Sequence, residues 1–259
     1  MGGAGAWHLG AHYADRWCVV SPGAGFAETA AYNKLSPDKY PPIYEQRLWG
    51  CYDVPNYVRN LFNIPVFAYS GENDKQIQAA RVMEAAYQRE GHSLRHLIGP
   101  GVEHKYEPET LKELLALVRA EVEKGRTSAP RKISWQSRTL RYGKLFWLEA
   151  LGLERHWDDA RIDAELTDDG QLSVATRNVT ALRLTPPGAV RSLRIDDQSL
   201  PIADEEVEGT IGSVDQPVHV VGTVQDVQRL PWHASARVAY VTQTTLSLDD
   251  TRDILAALR

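Results

Sequence analysis

Apolar positions in the first half of the chain fall in short runs set between longer stretches of helical period, the alternation that βα units produce. Residues 3–13 are rich in alanine and glycine, with Trp7, Leu9 and Ala11 among small side chains, and predict a helix packed tightly on a sheet. Trp17 to Ser21 (WCVVS) is an apolar run closed by Pro22-Gly23, the pattern of a buried parallel strand. Residues 27–60 carry several prolines and aromatics and predict an irregular, partly helical insertion. Ile64 to Tyr69 and Leu94 to Ile98 predict two more strands, with a helix over Gln76 to Glu90, ended by Gly91, between them. Pro108 fits the first turn of another helix, on which Leu111, Leu114, Leu115, Val118 and Val122 fall at helical spacing.

After a short polar stretch with Pro130, the period changes to two. Ile133 to Leu140, Lys144 to Ala150, Arg161 to Leu166, Leu172 to Thr176, Ala181 to Leu184 and Val190 to Ile195 are runs of strand length. Asp168-Asp169-Gly170 is a hairpin signal and Pro186-Pro187-Gly188 a further turn. From about Ile202 the chain is acidic and weakly periodic, with a last helix-like piece over Leu248 to Leu258. The pattern predicts an α/β portion over 1–126, half of a doubly wound parallel sheet, and a linker over 127–132. A small β-sandwich-like domain follows over 133–201, then an irregular region over 202–259.

Composition narrows the function classes. The 259 residues are 43% hydrophobic and 24% charged, ordinary for a globular protein with a sizeable core. A net charge of −5 argues against a nucleic-acid footprint, which would show as a basic stripe. No apolar run approaches the roughly 18 residues of a membrane span. Cys18 and Cys51 are too few for a disulfide framework, and read as small buried apolar residues before they read as a bridge. No charged, then apolar, leader precedes the body. A domain that opens without a first strand is expected to lack upstream sequence.

Two loops carry the chemistry. Asp74, in Gly71-Glu72-Asn73-Asp74, lies just past one expected strand; His104, in Gly101-Val102-Glu103-His104, lies just past the next. Taken alone, Asp74 reads as a cap for the helix near Gln76 and His104 as a solvated surface group. Together they follow the chain order of α/β-hydrolases, in which an acid and then a histidine come after a serine. The chemistry needs a buried carboxylate that accepts Nδ1–H of the imidazole and holds its tautomer, so the two side chains are expected within hydrogen-bond reach. His8 and His12 stand at i, i+4 on the first helix, a metal-capable spacing without a further ligand nearby. His92 and His96 have no evident partner, and neither Ser21 nor Ser70 sits in a glycine elbow. Trp135, Trp147 and Trp157 read as core aromatics of the β-domain, with a sugar-stacking face as the alternative.

Met1-Gly-Gly-Ala-Gly-Ala-Trp, the Gly71–Asp74 loop and the Gly101–His104 loop together resemble the end of a prolyl-oligopeptidase-type catalytic domain, or of a related esterase. The resemblance covers about residues 1–124. It implies a serine hydrolase acting on a peptide or ester, with Asp74 as the triad acid and His104 as the general base. Met1, following an absent nucleophile, would lend its backbone N–H to an oxyanion hole. It implies neither cofactor nor metal, an exported bacterial setting, and inactivity of this chain by itself. The alternative from another class is a non-catalytic scaffold whose β-domain contacts glycan or protein. An isolated half-sheet is expected to expose a strand edge and apolar faces.

Overall fold

The glycine-rich start becomes α1 (Gly2–His12), which buries Trp7, Gly10, Ala11 and His12. Its glycines permit a very close approach: a Cβ on Gly10 would sit 2.7 Å from Cγ1 of Val20, and one on Gly3 would strike the carbonyl of Gly23. The structure, a computed structural model, describes residues 2–200. The expected strand over Trp17–Ser21 does not form in that register. Pairing starts at Val20, with isolated parallel bridges Val20–Val66 and Gly23–Tyr69. Pro22 and Pro65 remove ladder donors here, and the chain then turns through Ala24 and Gly25 at positive φ.

The insertion forms α2 (Thr29–Tyr32), α3 (Ile43–Trp49) and a 3-10 helix over Val54–Asn63; neither α2 nor α3 buries a residue. β1 (Phe67–Gly71) then runs parallel to β2 (Arg95–Gly99), in register from Phe67–Arg95 to Gly71–Gly99. Between them α4 (Ile77–Arg89) buries Ala79, Ala80, Met83, Ala86 and Tyr87, an i, i+3/i+4 stripe. The Glu107 side chain caps α5 (Pro108–Lys124) by accepting from the N–H groups of Glu109 and Thr110. α5 packs Leu111, Leu114, Leu117 and Val118 against Tyr69 and Leu97. Leu115 and Val122, expected on that face, point outward at 54% and 53% exposure.

The period-two half forms β3 (Lys132–Ser137), β4 (Lys144–Leu145), β5 (Leu148–Leu153), β6 (Ala160–Leu166) and β7 (Gln171–Arg177). β8 (Val179–Leu184), β9 (Ser192–Ile195) and β10 (Gln198–Leu200) complete it. One sheet has the order β10-β9-β7-β6-β3 and the other β4-β5-β8; all pairs are antiparallel except β7 with β9. The run expected over 144–150 is folded back on itself at Phe146, whose φ is 52°, while Trp147 Nε1 donates to the Pro130 carbonyl. The run expected over 133–140 stops at Ser137, because Leu140–Tyr142 closes into a 3-10 turn.

The edge of β3 is covered. Asn63 accepts from Ser134 N (3.0 Å) and donates to its carbonyl (2.7 Å); Asn60 does the same for Gln136 (2.7 and 3.1 Å). Two side-chain amides thus imitate a neighbouring strand at positions i and i+2 and satisfy the edge of β3. Around them, Glu90 takes Arg59 (2.6 Å) and Arg161 (2.9 Å), and Arg59 also reaches Asp163 (2.6 Å). One cluster of buried side chains runs from Trp7 and Met83 through Trp135 and Ile162, so the two periodic regimes share a core.

Candidate functional site

The loops after β1 and β2 interlock before they place any side chain. Glu72 N donates to the Gly99 carbonyl and Asn73 N to that of Val102, each at 2.9 Å, while Gly101 N donates to Glu72 Oε2 at 2.7 Å. A Cβ on Gly71 would collide with the Glu103 carbonyl, so only glycine lets the second loop lie this close. His104 Nδ1 and Asp74 Oδ2 come to 2.8 Å. The other Asp74 oxygen accepts from Gln76 N at 2.8 Å, so one carboxylate both caps the approach to α4 and holds the imidazole. Asp74 is buried; the His104 side chain is 64% exposed. Facing Asp74 with Nδ1 turns the other ring nitrogen, Nε2, toward whatever reaches this edge.

Several residues that pattern reading passed over frame the pair. Gln76 Oε1 accepts from Gly25 N at 3.1 Å and ties the Asp74 loop to residues 23–25, on which the amino end of α1 packs. The Tyr69 hydroxyl donates to the Lys105 carbonyl (3.0 Å) and accepts from Glu107 N (2.7 Å). Tyr106 lies against the Tyr69 ring at 4.5 Å. The only signal for these contacts was position at strand ends, because their partners lie far apart in the chain.

The other candidates separate. Ser21 and Ser70 make no hydrogen bond to His104; the Ser70 hydroxyl is fully buried on β1 and has no partner among the described residues. Met1 lies outside the described residues. His92 stacks on Phe62 at 3.9 Å, and buried His96 places Nδ1 2.9 Å from Glu84. Burial, only partly offset by Glu84, lowers the His96 pKa. Trp135 and Trp147 are core residues and Trp157 is half-buried, so the three do not make a stacking face. Cys18 and Cys51 are half-buried free thiols. No helix among the described residues is long and apolar enough to cross a membrane. A shallow cleft of about 430 Å³ opens in the β lobe, lined by Arg138, Arg155, Arg177, Glu154, Asp158, Asp159 and Asn178.

Comparison with known proteins names a different family from the expected one. A family model described as LytB protein matches residues 202–259. The 4-hydroxy-3-methylbut-2-enyl diphosphate reductase of Zymomonas mobilis subsp. mobilis is 54% identical over 54 residues, 21% of this chain and 16% of that protein. The reductase of the same name from Anaplasma marginale is 56% identical over 54 residues, with the same shares. Reductase 2 of Burkholderia mallei is 39% identical over 95 residues, 27% of this chain and 29% of that protein. The chain spans less than a third of each of these relatives. These matches overturn the prolyl-oligopeptidase-type resemblance and the peptidase and esterase activities drawn from it, and they do not support the scaffold alternative either. The hydrolase reading rested on two short loops, the glycine-rich start and a chain order within residues 1–124. The family match falls in 202–259, expected only as an irregular region with a helix-like piece over Leu248 to Leu258, and all of it lies outside the described residues.

Proposed function

We propose that this chain is functionally related to the 4-hydroxy-3-methylbut-2-enyl diphosphate reductases through residues 202–259, and that this segment contributes recognition of a diphosphate ester. The observation that carries the reading is the family match over those residues, supported by relatives above 50% identity. Reduction of such an ester needs an electron carrier. Where that carrier is an iron–sulfur cluster, cysteine thiolates hold it. The chain has two cysteines, Cys18 and Cys51, and neither lies in the matched segment. Among the described residues no group of three His, Cys, Asp or Glu side chains stands close enough to hold a metal. The two cysteines do not make up the ligand set of a cluster, so no reduction step is drawn for this chain, and residues 202–259 are read as recognising the ester. Calorimetric titration of the full chain with a dimethylallyl-type diphosphate tests this. Saturable heat that a chain ending at residue 201 does not give is the expected result; no heat from the full chain overturns the reading.

A second reading concerns residues 2–126, and the 2.8 Å contact between Asp74 and His104 favours it. Here Asp74 fixes the proton on Nδ1 and His104 offers Nε2 as a proton acceptor to a ligand at the carboxyl edge of β1 and β2. The expected ¹⁵N spectrum of His104 is that of the Nδ1–H tautomer at neutral pH. Asp74→Asn, which keeps an oxygen but can turn its NH2 toward the ring, should shift the population toward Nε2–H. An unchanged tautomer ratio in that variant removes Asp74 as the positioning residue.

A further inference from the structure

His8 and His12 lie where α1 meets both the 3-10 helix over Val54–Asn63 and the Leu140–Tyr142 turn of the β lobe. Their rings lie against each other, tilted by 39°, with centroids 4.0 Å apart. His12 is 2% exposed and is packed between Tyr57 (4.1 Å) and Tyr142 (3.8 Å). Tyr52 stacks on the outer side of His8 at 5.2 Å. His12 Nδ1 donates to the His8 carbonyl at 2.7 Å, which leaves Nε2 to carry the lone pair. That nitrogen is buried without a partner among the described residues, as is Nδ1 of His8. No third His, Cys, Asp or Glu among the described residues stands close enough to complete a metal site with the pair.

We propose that the packed imidazoles of His8 and His12 are an acid-sensitive latch between α1 and the β lobe. The contact holds while both rings are neutral. A proton on His12 Nε2 would need an acceptor in a wall made of the Tyr57 and Tyr142 rings. Among the described residues the groups facing the pair are Tyr57 from the 3-10 helix, Tyr142 and Arg141 from the turn, Tyr52, and Cys51, which lies close enough to influence Tyr57 and Tyr142. No carboxylate is among them, and Arg141 adds a positive charge to the two that the imidazoles would carry. Protonation therefore places like charges in a site without a counterion among the described residues, and the contact that can yield is Tyr142 against His12. α1 is a single 11-residue helix whose other end packs Gly3 on the carbonyls of Gly23 and Ala24. Release at His12 is thereby felt at the edge that holds Asp74 and His104.

The sign follows from burial. Desolvation, with His8 and Arg141 adding to it, moves the His12 pKa from 6.5 down to about 3. The latch is complete above the ordinary imidazole value and weakens as pH falls below it. Between about pH 7 and pH 5, above the usual carboxylate range, one such histidine favours the open form by about 25-fold. Amide hydrogen exchange in residues 139–143 of the full chain, corrected for intrinsic rates, reads this opening. Wild type should lose about 25-fold protection across that interval, and His12→Phe, which keeps a ring in the contact but cannot titrate, should lose little. Equal losses in both proteins, or none in wild type, overturn the latch. If His12→Phe does not fold, the wild-type imidazole decides. A His12 ring that titrates near its ordinary value while residues 139–143 stay protected overturns the proposal; a ring that takes its proton only as protection is lost supports it.

Discussion

Asn60 joins three pieces of chain with one amide. It donates to the Ala11 carbonyl at the end of α1 and to Gln136 O on β3, and accepts from Gln136 N, at 2.8, 3.1 and 2.7 Å. All of these groups are buried, so their cost when unpaired exceeds their gain when paired. Asn60→Ala is expected to destabilise by about 1–3 kcal/mol for each buried group left without a partner. Asn60→Asp should cost more, because its carboxylate would face two carbonyls with no proton to offer. Urea denaturation with an unchanged m-value checks both variants. A loss for Asn60→Ala below about 0.5 kcal/mol, the size of an ordinary surface change, would mean the amide bridge is dispensable.

At the scale of elements, α1 depends on glycine where it presses on the chain at Val20. Gly10→Ala carries two opposing terms: helix propensity gains about 0.5–1 kcal/mol, and overpacking costs about 1–3 kcal/mol. The new Cβ would stand 2.7 Å from one Val20 methyl and 2.9 Å from the other, closer than real contacts allow, so the clash wins and the melting temperature falls. Adding Val20→Ala should recover part of the loss, with a coupling of at least about 0.5 kcal/mol. Additive losses in the double variant would place the strain elsewhere. This contact also marks where sequence was legible and where it was not. Alternation of apolar residues located β3, β6, β7 and β8 to within a few residues, because a half-buried strand writes its own period. The same reasoning put a strand at Trp17–Ser21, since it took Pro22 as the end of the run and gave no weight to Pro65, which has no N–H to pair with residues before Val20. It also turned Leu115 and Val122 inward, because helical spacing lists candidates for a face without saying how wide the covering sheet is. Asp74 and His104 were found by their strand-end positions, whereas Gln76, Tyr69 and Asn60 act through partners 30 or more residues away that no local pattern announces.

For the molecule as a whole, the change of period near residue 130 suggests two bodies, yet the physical boundary is weak. Trp7, Val54, Met83, Ile133, Trp135 and Ile162 belong to one buried cluster, and polar ties cross the same junction. Arg59 and Arg161 meet at Glu90, with Arg59 extending to Asp163 and Arg161 to Asp159. Breaking such a shared core exposes apolar surface on both sides at once, and the partly buried charges of Glu90 lose both partners together. The two regimes should therefore unfold as one unit despite their different architectures. Pulse-labelled hydrogen exchange of the full chain in urea separates the alternatives, because peptides from α4 and from β6 report one regime each. Coincident loss of protection is the expected outcome. A β6 signal that survives to higher urea than α4 would mean the β lobe stands alone and the junction is only an interface. Glu90→Gln sharpens the test: with its charge gone, Arg59 and Arg161 keep Asp163 and Asp159, so both transitions should move to lower urea together. If Glu90→Gln shifts only the α4 peptide, the shared core does not couple the two halves.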